Sequence, residues 1–239
     1  MPLSPGVHHF APALPVFVLD APLPGPTALI QAGIHGDEVA GVHALWQMLE
    51  GGLAPAAGRL IVVPTMNPAA YRARTRAAPG GLDLNRCFPG DAAAPEPERR
   101  LARRFMDLVL DERPALVVTL HESTKRYDPS RTPSFGQTIV YGVAPRPPVV
   151  DALVAALNAR LAEPRERWAP LYYPVPTSST EVIVDALGCV GLCIETWMGF
   201  PEARRVEMQV EVVRFLLDAV GVLPLGTASA PAGSAGTSA

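Results

Sequence analysis

Apolar residues along this chain fall into two recurring patterns. Short runs that are apolar almost throughout read as strands covered on both faces: Val16–Asp20, Thr27–Gly33, Arg59–Pro64, Ala115–His121, Gln137–Tyr141 and Cys189–Glu195. Between them, apolar residues return at helical spacing. Val39, Val42, Leu45, Trp46 and Leu49 mark one helix, which Gly51-Gly52 stops. Asp37 and Glu38 are expected in its first turn, where acidic side chains complement the helix dipole. Glu96–Arg113 is an amphipathic helix with Leu101, Phe105, Leu108 and Val109 inward and Arg99, Arg100, Arg103 and Arg104 on a solvated face. Val149–Leu161 and Glu202–Val220 are further helices, and Thr180–Leu187 is a helix or short connector. Strands alternating with helices predict an α/β fold: a mixed, mainly parallel twisted sheet with helices on both faces, in three layers.

The remaining stretches lack either period. Residues 1–15, rich in Pro and Ala, are expected to form an irregular arm carrying His8-His9, and Ala21–Pro26 a Pro/Gly turn. Thr65 to about Pro95 is a long loop, and loops of that length in a compact domain are usually functional. A second loop runs from Glu122 to Phe135. From residue 223 to 239 the chain is a Gly/Ala/Ser/Thr/Pro mixture, read as a disordered tail behind a single domain of residues 1–222.

Composition narrows the function classes. Hydrophobic residues make up 49% and charged residues 18% of 239 positions, enough for a sizeable core. A net charge of −3 gives no footprint for nucleic acid or an anionic membrane, so neither is expected as a partner. The three cysteines form no CxxC pair, and Cys189 and Cys193 are expected to pack as small apolar residues. That odd count, with no signal-peptide pattern and no apolar run of membrane-spanning length, predicts a cytoplasmic protein. Oligomeric state leaves no mark on the sequence.

The chemistry concentrates at strand ends. His35 and Glu38 sit three apart between the Thr27–Gly33 strand and the following helix, His121 closes another strand, and Glu195 closes a third. In open α/β sheets, sites gather at the carboxyl ends of strands. Two histidines and a glutamate make a ligand set for catalytic zinc, which takes three protein ligands. A carboxylate outside that set must then move protons, and Glu195 is the candidate. Cations in the first long loop, Arg72, Arg74 and Arg76, could stabilise charge on a carbonyl oxygen. Asn85-Arg86 offers an amide and a guanidinium side by side for a substrate carboxylate. Each piece has an ordinary reading: a dipole-complementing Glu38, a packed His121, arginines facing water. Their common placement at strand ends is what core packing does not explain. No G-x-S-x-G elbow is present, which sets aside a serine hydrolase of the α/β type.

Five motifs carry a family resemblance: Gly33-Ile-His35-Gly-Asp-Glu38, Asn67-Pro-Ala-Ala-Tyr-Arg-Ala-Arg-Thr-Arg76, Asp83-Leu-Asn85-Arg86-Cys-Phe88-Pro89, Leu120-His121 and Ile194-Glu195. In this order they resemble the zinc carboxypeptidase superfamily, and within it the succinylglutamate desuccinylase/aspartoacylase branch. The resemblance implies a zinc carboxypeptidase-like fold holding one Zn2+ per chain on His35, Glu38 and His121. It implies Glu195 as general base and acid, Arg76 as the carbonyl-polarising arginine, and Asn85 and Arg86 as the carboxylate clamp. Arg72 and Arg74 stand behind Arg76 as second choices. The implied activity is hydrolysis of an amide beside a carboxylate-bearing group, as in N-acyl amino acid deacylation. Members of the branch carry a C-terminal β-rich domain that narrows the site. Here one helix and a loose tail use up the residues after Glu195, so no such domain is expected. A more open site would suit a short peptide, as in a metallocarboxypeptidase or cell-wall peptide amidase. Tyr127, Tyr141, Tyr172 and Tyr173 are the candidates for a tyrosine that closes the site.

Overall fold

A computed structural model describes residues 1–11, 13–131 and 133–223. Its strands are β1 (Gly6–Ala11), β2 (Leu14–Asp20), β3 (Leu23–Ala32), β4 (Ala57–Val63), β5 (Leu116–Ser123), β6 (Thr138–Tyr141), β7 (Ala169–Tyr172) and β8 (Val190–Trp197). They form one sheet in the order β1-β2-β4-β3-β5-β8-β6-β7. The centre, β4-β3-β5-β8, is parallel. β2 adds antiparallel to β4, and β6 antiparallel to β8. The helices are α1 (Ala40–Glu50), α2 (Pro68–Ala73), α3 (Pro97–Glu112), α4 (Pro148–Asn158), α5 (Ser179–Leu187) and α6 (Glu202–Ala219).

The apolar strands are two-sided because successive side chains alternate faces. Along β3, Ala28, Ile30 and Ala32 join the core under α1, α4 and α6, with Val42, Leu45, Leu153, Val212 and Leu216. Leu29 points the other way, into the core that Phe105, Met106 and Val109 of α3 and Ile183 of α5 complete. The expected three-layer α/β sheet is the observed one.

Three local expectations give way, and one strand was unforeseen. The irregular arm is a strand pair: β1 runs antiparallel to β2, whose Leu14, Val16 and Val18 are no more than 1% exposed. β1 is the sheet edge and mostly exposed, so its sequence needs no buried stripe and reads as a loop. The expected turn at Ala21–Pro26 belongs largely to β3. Its prolines fall where the β3–β4 register slips between Leu23 and Thr27, where a missing N–H costs little. α1 begins only at Ala40, so Asp37 and Glu38 precede the helix instead of filling its first turn. Its leading amide, Ala40 N, donates instead to the side chain of Glu122, 2.9 Å away. β7, four residues of half-buried and exposed side chains, is too short and mixed to register as a period.

The first long loop is not structureless. Asn67 caps α2 by accepting from Ala70 N at 3.1 Å, and Pro68 opens the helix, where its missing N–H is harmless. A single 3-10 turn, Leu84–Arg86, follows, capped by Asp83. The expected tail lies, from residue 224 on, outside the described residues.

Candidate metal and substrate site

β3 delivers the chain to a turn in which Gly33 takes φ +64° and Gly36 packs against α2. A Cβ at Gly36 would lie 1.9 Å from the backbone carbon of Ala70, so the turn between His35 and Glu38 admits only glycine without displacement. Gly36 N donates to Thr75 O at 3.0 Å, which ties this turn to the loop that carries Arg76. β5 and β8 pair in a register that sets His121 directly beside Glu195. His121 lies two residues before the end of its strand, not at the end, as does Glu195 in β8.

The ligand atoms of His35, Glu38 and His121 all lie within 4.8 Å of one another, and all three residues are buried. One carboxylate bridges both imidazoles: His35 Nδ1 is 2.7 Å from Glu38 Oε1, and His121 Nδ1 is 2.7 Å from Glu38 Oε2. The two histidines titrate in opposite directions. Burial opposes charge on His35, but Glu38 and the nearby Asp83 outweigh it and raise its pKa from 6.5 to about 9. Deeper burial, reinforced by the charge of His35, lowers His121 despite Glu38. Burial also works against the Glu38 carboxylate, yet the two imidazoles hold its pKa well below the ordinary range.

Glu195 shares the cleft. Its Oε2 is buried and without a hydrogen-bond partner among the described residues, while Oε1 has only the Cys193 thiol at 3.8 Å. Burial, then the negative charge of Glu38, pushes its pKa well above the ordinary range. Cys193 therefore does more than fill the core: it lines the cleft beside Glu195.

The loop arginines separate cleanly. Arg76 Nη1 lies 3.8 Å from Glu38 Oε1 and 3.4 Å from His35 Nδ1. Asp83 holds Arg76 in place, accepting from Nε at 3.0 Å and lying 2.9 Å from Nη2. Arg74 instead stacks over the Tyr71 ring, 4.7 Å from its centroid, and Arg72 lines a separate pocket beside Asn67. Asn85 and Arg86 both line the cleft, and Asn85 Oδ1 accepts from Ser179 N at 3.0 Å, leaving its NH2 free of that bond. Of the candidate tyrosines, Tyr173 alone borders the cleft.

Sequence reasoning passed over Asp83, Glu122 and Glu181. Asp83 was visible only as the first residue of the Asp83-Leu-Asn85-Arg86-Cys-Phe88-Pro89 motif, not as the cap of the 3-10 turn or the anchor of Arg76. Glu122 stands next to His121 and looked like the first residue of a loop. It is instead in β5, with one oxygen on Ala40 N and the other paired with Arg205 of α6. No periodic signal marks Glu181 as facing a cleft. The whole depression has a volume of about 410 Å³, in the range of small-molecule sites.

This fold and this constellation define a zinc carboxypeptidase-like α/β domain. Residues 24–134, just under half of the chain, match the family model described as succinylglutamate desuccinylase/aspartoacylase catalytic domain. The chain is 43% identical over 96 residues to N-alpha-acetyl-L-2,4-diaminobutyric acid deacetylase of Halomonas elongata, an alignment covering 36% of this chain and 28% of that one. It is 41% identical over 93 residues to murein peptide amidase A of Escherichia coli, covering 36% of each. The crystal structure of a succinylglutamate desuccinylase from Silicibacter sp. TM1040 superposes with a TM-score of 0.69 at 27% identity, over 88% of this chain and 61% of that one. The chain thus spans less than two thirds of the length of each relative. Among the described residues, no helix is long and apolar enough to cross a membrane.

Proposed function

We propose that this chain is a zinc-dependent hydrolase that cleaves the amide of an N-acyl amino acid. The observation that carries the reading is the meeting of His35, Glu38 and His121 in one buried cluster, with Glu195 on the adjoining strand of the same cleft. The donor set fits zinc: two imidazole nitrogens and a carboxylate are its ligands in hydrolytic sites. His35 Nε2 is buried and lacks a hydrogen bond among the described residues; the nearest acid, Asp83 Oδ1, stands at 3.4 Å in an ion-pair contact only. A bound zinc supplies Lewis acidity, polarising a carbonyl and making a water acidic near neutral pH.

The chain's own groups do the rest. Glu195, which lines the cleft with an Oε2 unpartnered among the described residues, accepts a proton from the attacking water and delivers it to the amide nitrogen. The water oxygen bonds to the carbonyl carbon, the C–N bond breaks, and a carboxylic acid and an amine leave. Arg76, aimed by Asp83, donates to the carbonyl oxygen as negative charge develops there. Asn85 and Arg86 grip the carboxylate of the amino acid being released. Tyr173 closes one side of the cleft. The cysteines, all three unpaired, suit a reducing compartment, and we assign the chain to the cytoplasm.

The test is a panel of N-acetyl and N-succinyl amino acids and short peptides with zinc-loaded protein. Glu195→Gln is expected to lower kcat by about 10³-fold or more while metal content by atomic absorption stays at one per chain. An unchanged rate in that variant overturns the assignment. The similarity to a murein peptide amidase favours a peptide as the second reading. Hydrolysis confined to the peptides of the panel would select it.

A further inference from the structure

We infer that Gln31 of β3 and Thr119 of β5 are positioning residues for the substrate carboxylate: together they fix the first turn of α5, which aims Asn85 into the cleft. The inference rests on the proposed function and adds residues to its binding step. Gln31 and Thr119 are register partners on neighbouring parallel strands, and each is 1% exposed. The layer they point into is otherwise apolar, with Leu29, Val63, Val117 and Ile183. Polar side chains in such a layer must find hydrogen bonds within it. Both find them in α5, on consecutive residues. Gln31 Nε2 donates to Ser179 Oγ at 2.8 Å, and Thr119 Oγ1 lies 2.9 Å from Thr180 Oγ1. Gln31 Oε1 has no partner among the described residues, so the bond to Ser179 is the one its amide makes there.

What those two bonds hold is a wall of the cleft. Ser178, Thr180 and Glu181 all line it. Ser178 caps the helix, its Oγ accepting from Glu181 N at 3.3 Å. The amide between them, Ser179 N, donates to Asn85 Oδ1 at 3.0 Å. That bond commits the oxygen end of the Asn85 amide to α5 and leaves the NH2 end, a donor, for a substrate carboxylate. Contacts therefore run without a break from Gln31 to the Ser179 side chain and from the Ser179 backbone to Asn85. Their sheet end lies on the strands that lead to the reacting groups. Gln31 stands four residues before His35, and Thr119 two before His121. Thr119 is also paired with Cys193, two residues before Glu195. The same strands thus set the spacing between the clamp and the chemistry. Apolar contacts would bury α5 equally well but let it slide and turn, whereas directional hydrogen bonds admit one placement. A binding group misplaced by about 1 Å costs up to about 10²-fold in rate.

The experiment uses the full chain with zinc and pairs each N-acetyl amino acid of the panel with its α-carboxamide, which keeps the shape and loses the charge. The kcat/KM ratio of carboxylate to carboxamide is expected to be about 30-fold or more in the wild type. In Gln31→Met and Thr119→Val, both near-isosteric, the ratio should fall about fivefold or more, through KM of the carboxylate more than through kcat. Thr119→Ser, which keeps the hydroxyl, should retain it. Asn85→Ala should lose the preference, and adding Gln31→Met to it should lower the ratio no further. A role confined to stability moves none of these ratios, because each is taken within one protein and altered folding or metal loading cancels. An undiminished ratio in Gln31→Met or Thr119→Val, beside a loss in Asn85→Ala, overturns the inference and leaves the clamp. So does a further fall when Gln31→Met is added to Asn85→Ala. A wild type that cleaves both members of every pair alike, or an Asn85→Ala that keeps the preference, overturns the clamp and the inference with it. Calorimetric binding of the same pairs reads the ratio without turnover. Carboxylate-selective binding that Gln31→Met weakens, in a wild type that cleaves nothing, sinks the hydrolase reading and leaves the positioning role.

Discussion

At the scale of single residues, the site is a set of charges placed where water cannot dissipate them. Glu38 is stabilised by two imidazoles, whereas Glu181 has no ion-pair partner among the described residues. That difference has a thermodynamic signature. The folded-state pKa of Glu181 lies above its ordinary value of 4.5, so the native state holds that proton more tightly than the unfolded state. Stability from this group is therefore greatest at low pH and is lost as pH rises from the unfolded to the folded pKa. Glu181→Gln is expected to melt like the wild type below the ordinary value and to be more stable above the window. Thermal melts of both proteins across pH check this.

At the scale of elements, α6 acts on the His35–Glu38–His121 cluster without touching it. Gln209 Nε2 donates to His121 O at 3.0 Å and to Thr196 Oγ1 at 2.8 Å, which pins the β5 backbone. Arg205 pairs with Glu122, whose side chain is fully buried and whose second oxygen receives the leading amide of α1. The network links α1, β5, β8 and α6 around Glu38 and His121. Removing one partner of a buried pair strands the other charge. Arg205→Met is expected to cost about 3–5 kcal/mol in urea unfolding, with Arg205→Met plus Glu122→Gln recovering most of it. A single-variant cost under about 1 kcal/mol would show that the pair is not a structural link.

For the whole molecule, the sheet brings together residues from the β3–α1 turn, β5 and β8 before any ion arrives. A zinc that binds only the folded arrangement stabilises it by mass action, about 4 kcal/mol at a thousandfold excess over Kd. For a chain of 239 residues, that corresponds to a melting temperature about 10 °C lower in chelator, restored by added zinc. Calorimetry with and without chelator measures it, and a chelator-independent transition would count against the three-ligand cluster as a zinc site.

The sequence by itself determined the layers and the main elements, because two-sided strands and amphipathic helices write their burial into a period that one chain displays locally. It also singled out His35, Glu38, His121 and Glu195 at strand ends and Asn85 and Arg86 in the first long loop, while the preference for Arg76 over Arg72 and Arg74 came from the family resemblance. Edge strands such as β1 and β7 escaped it because an exposed edge imposes little pattern. Only the tertiary structure decided which loop arginine faces the cleft, that Asp83 aims it, that Glu122 belongs to the framework and that Glu181 lines the cleft. Pairings such as Glu122 with Arg205 and Asn85 with Ser179 span 83 and 94 positions. Contacts at such separations are set by sheet register and helix docking, which no local window of the chain contains.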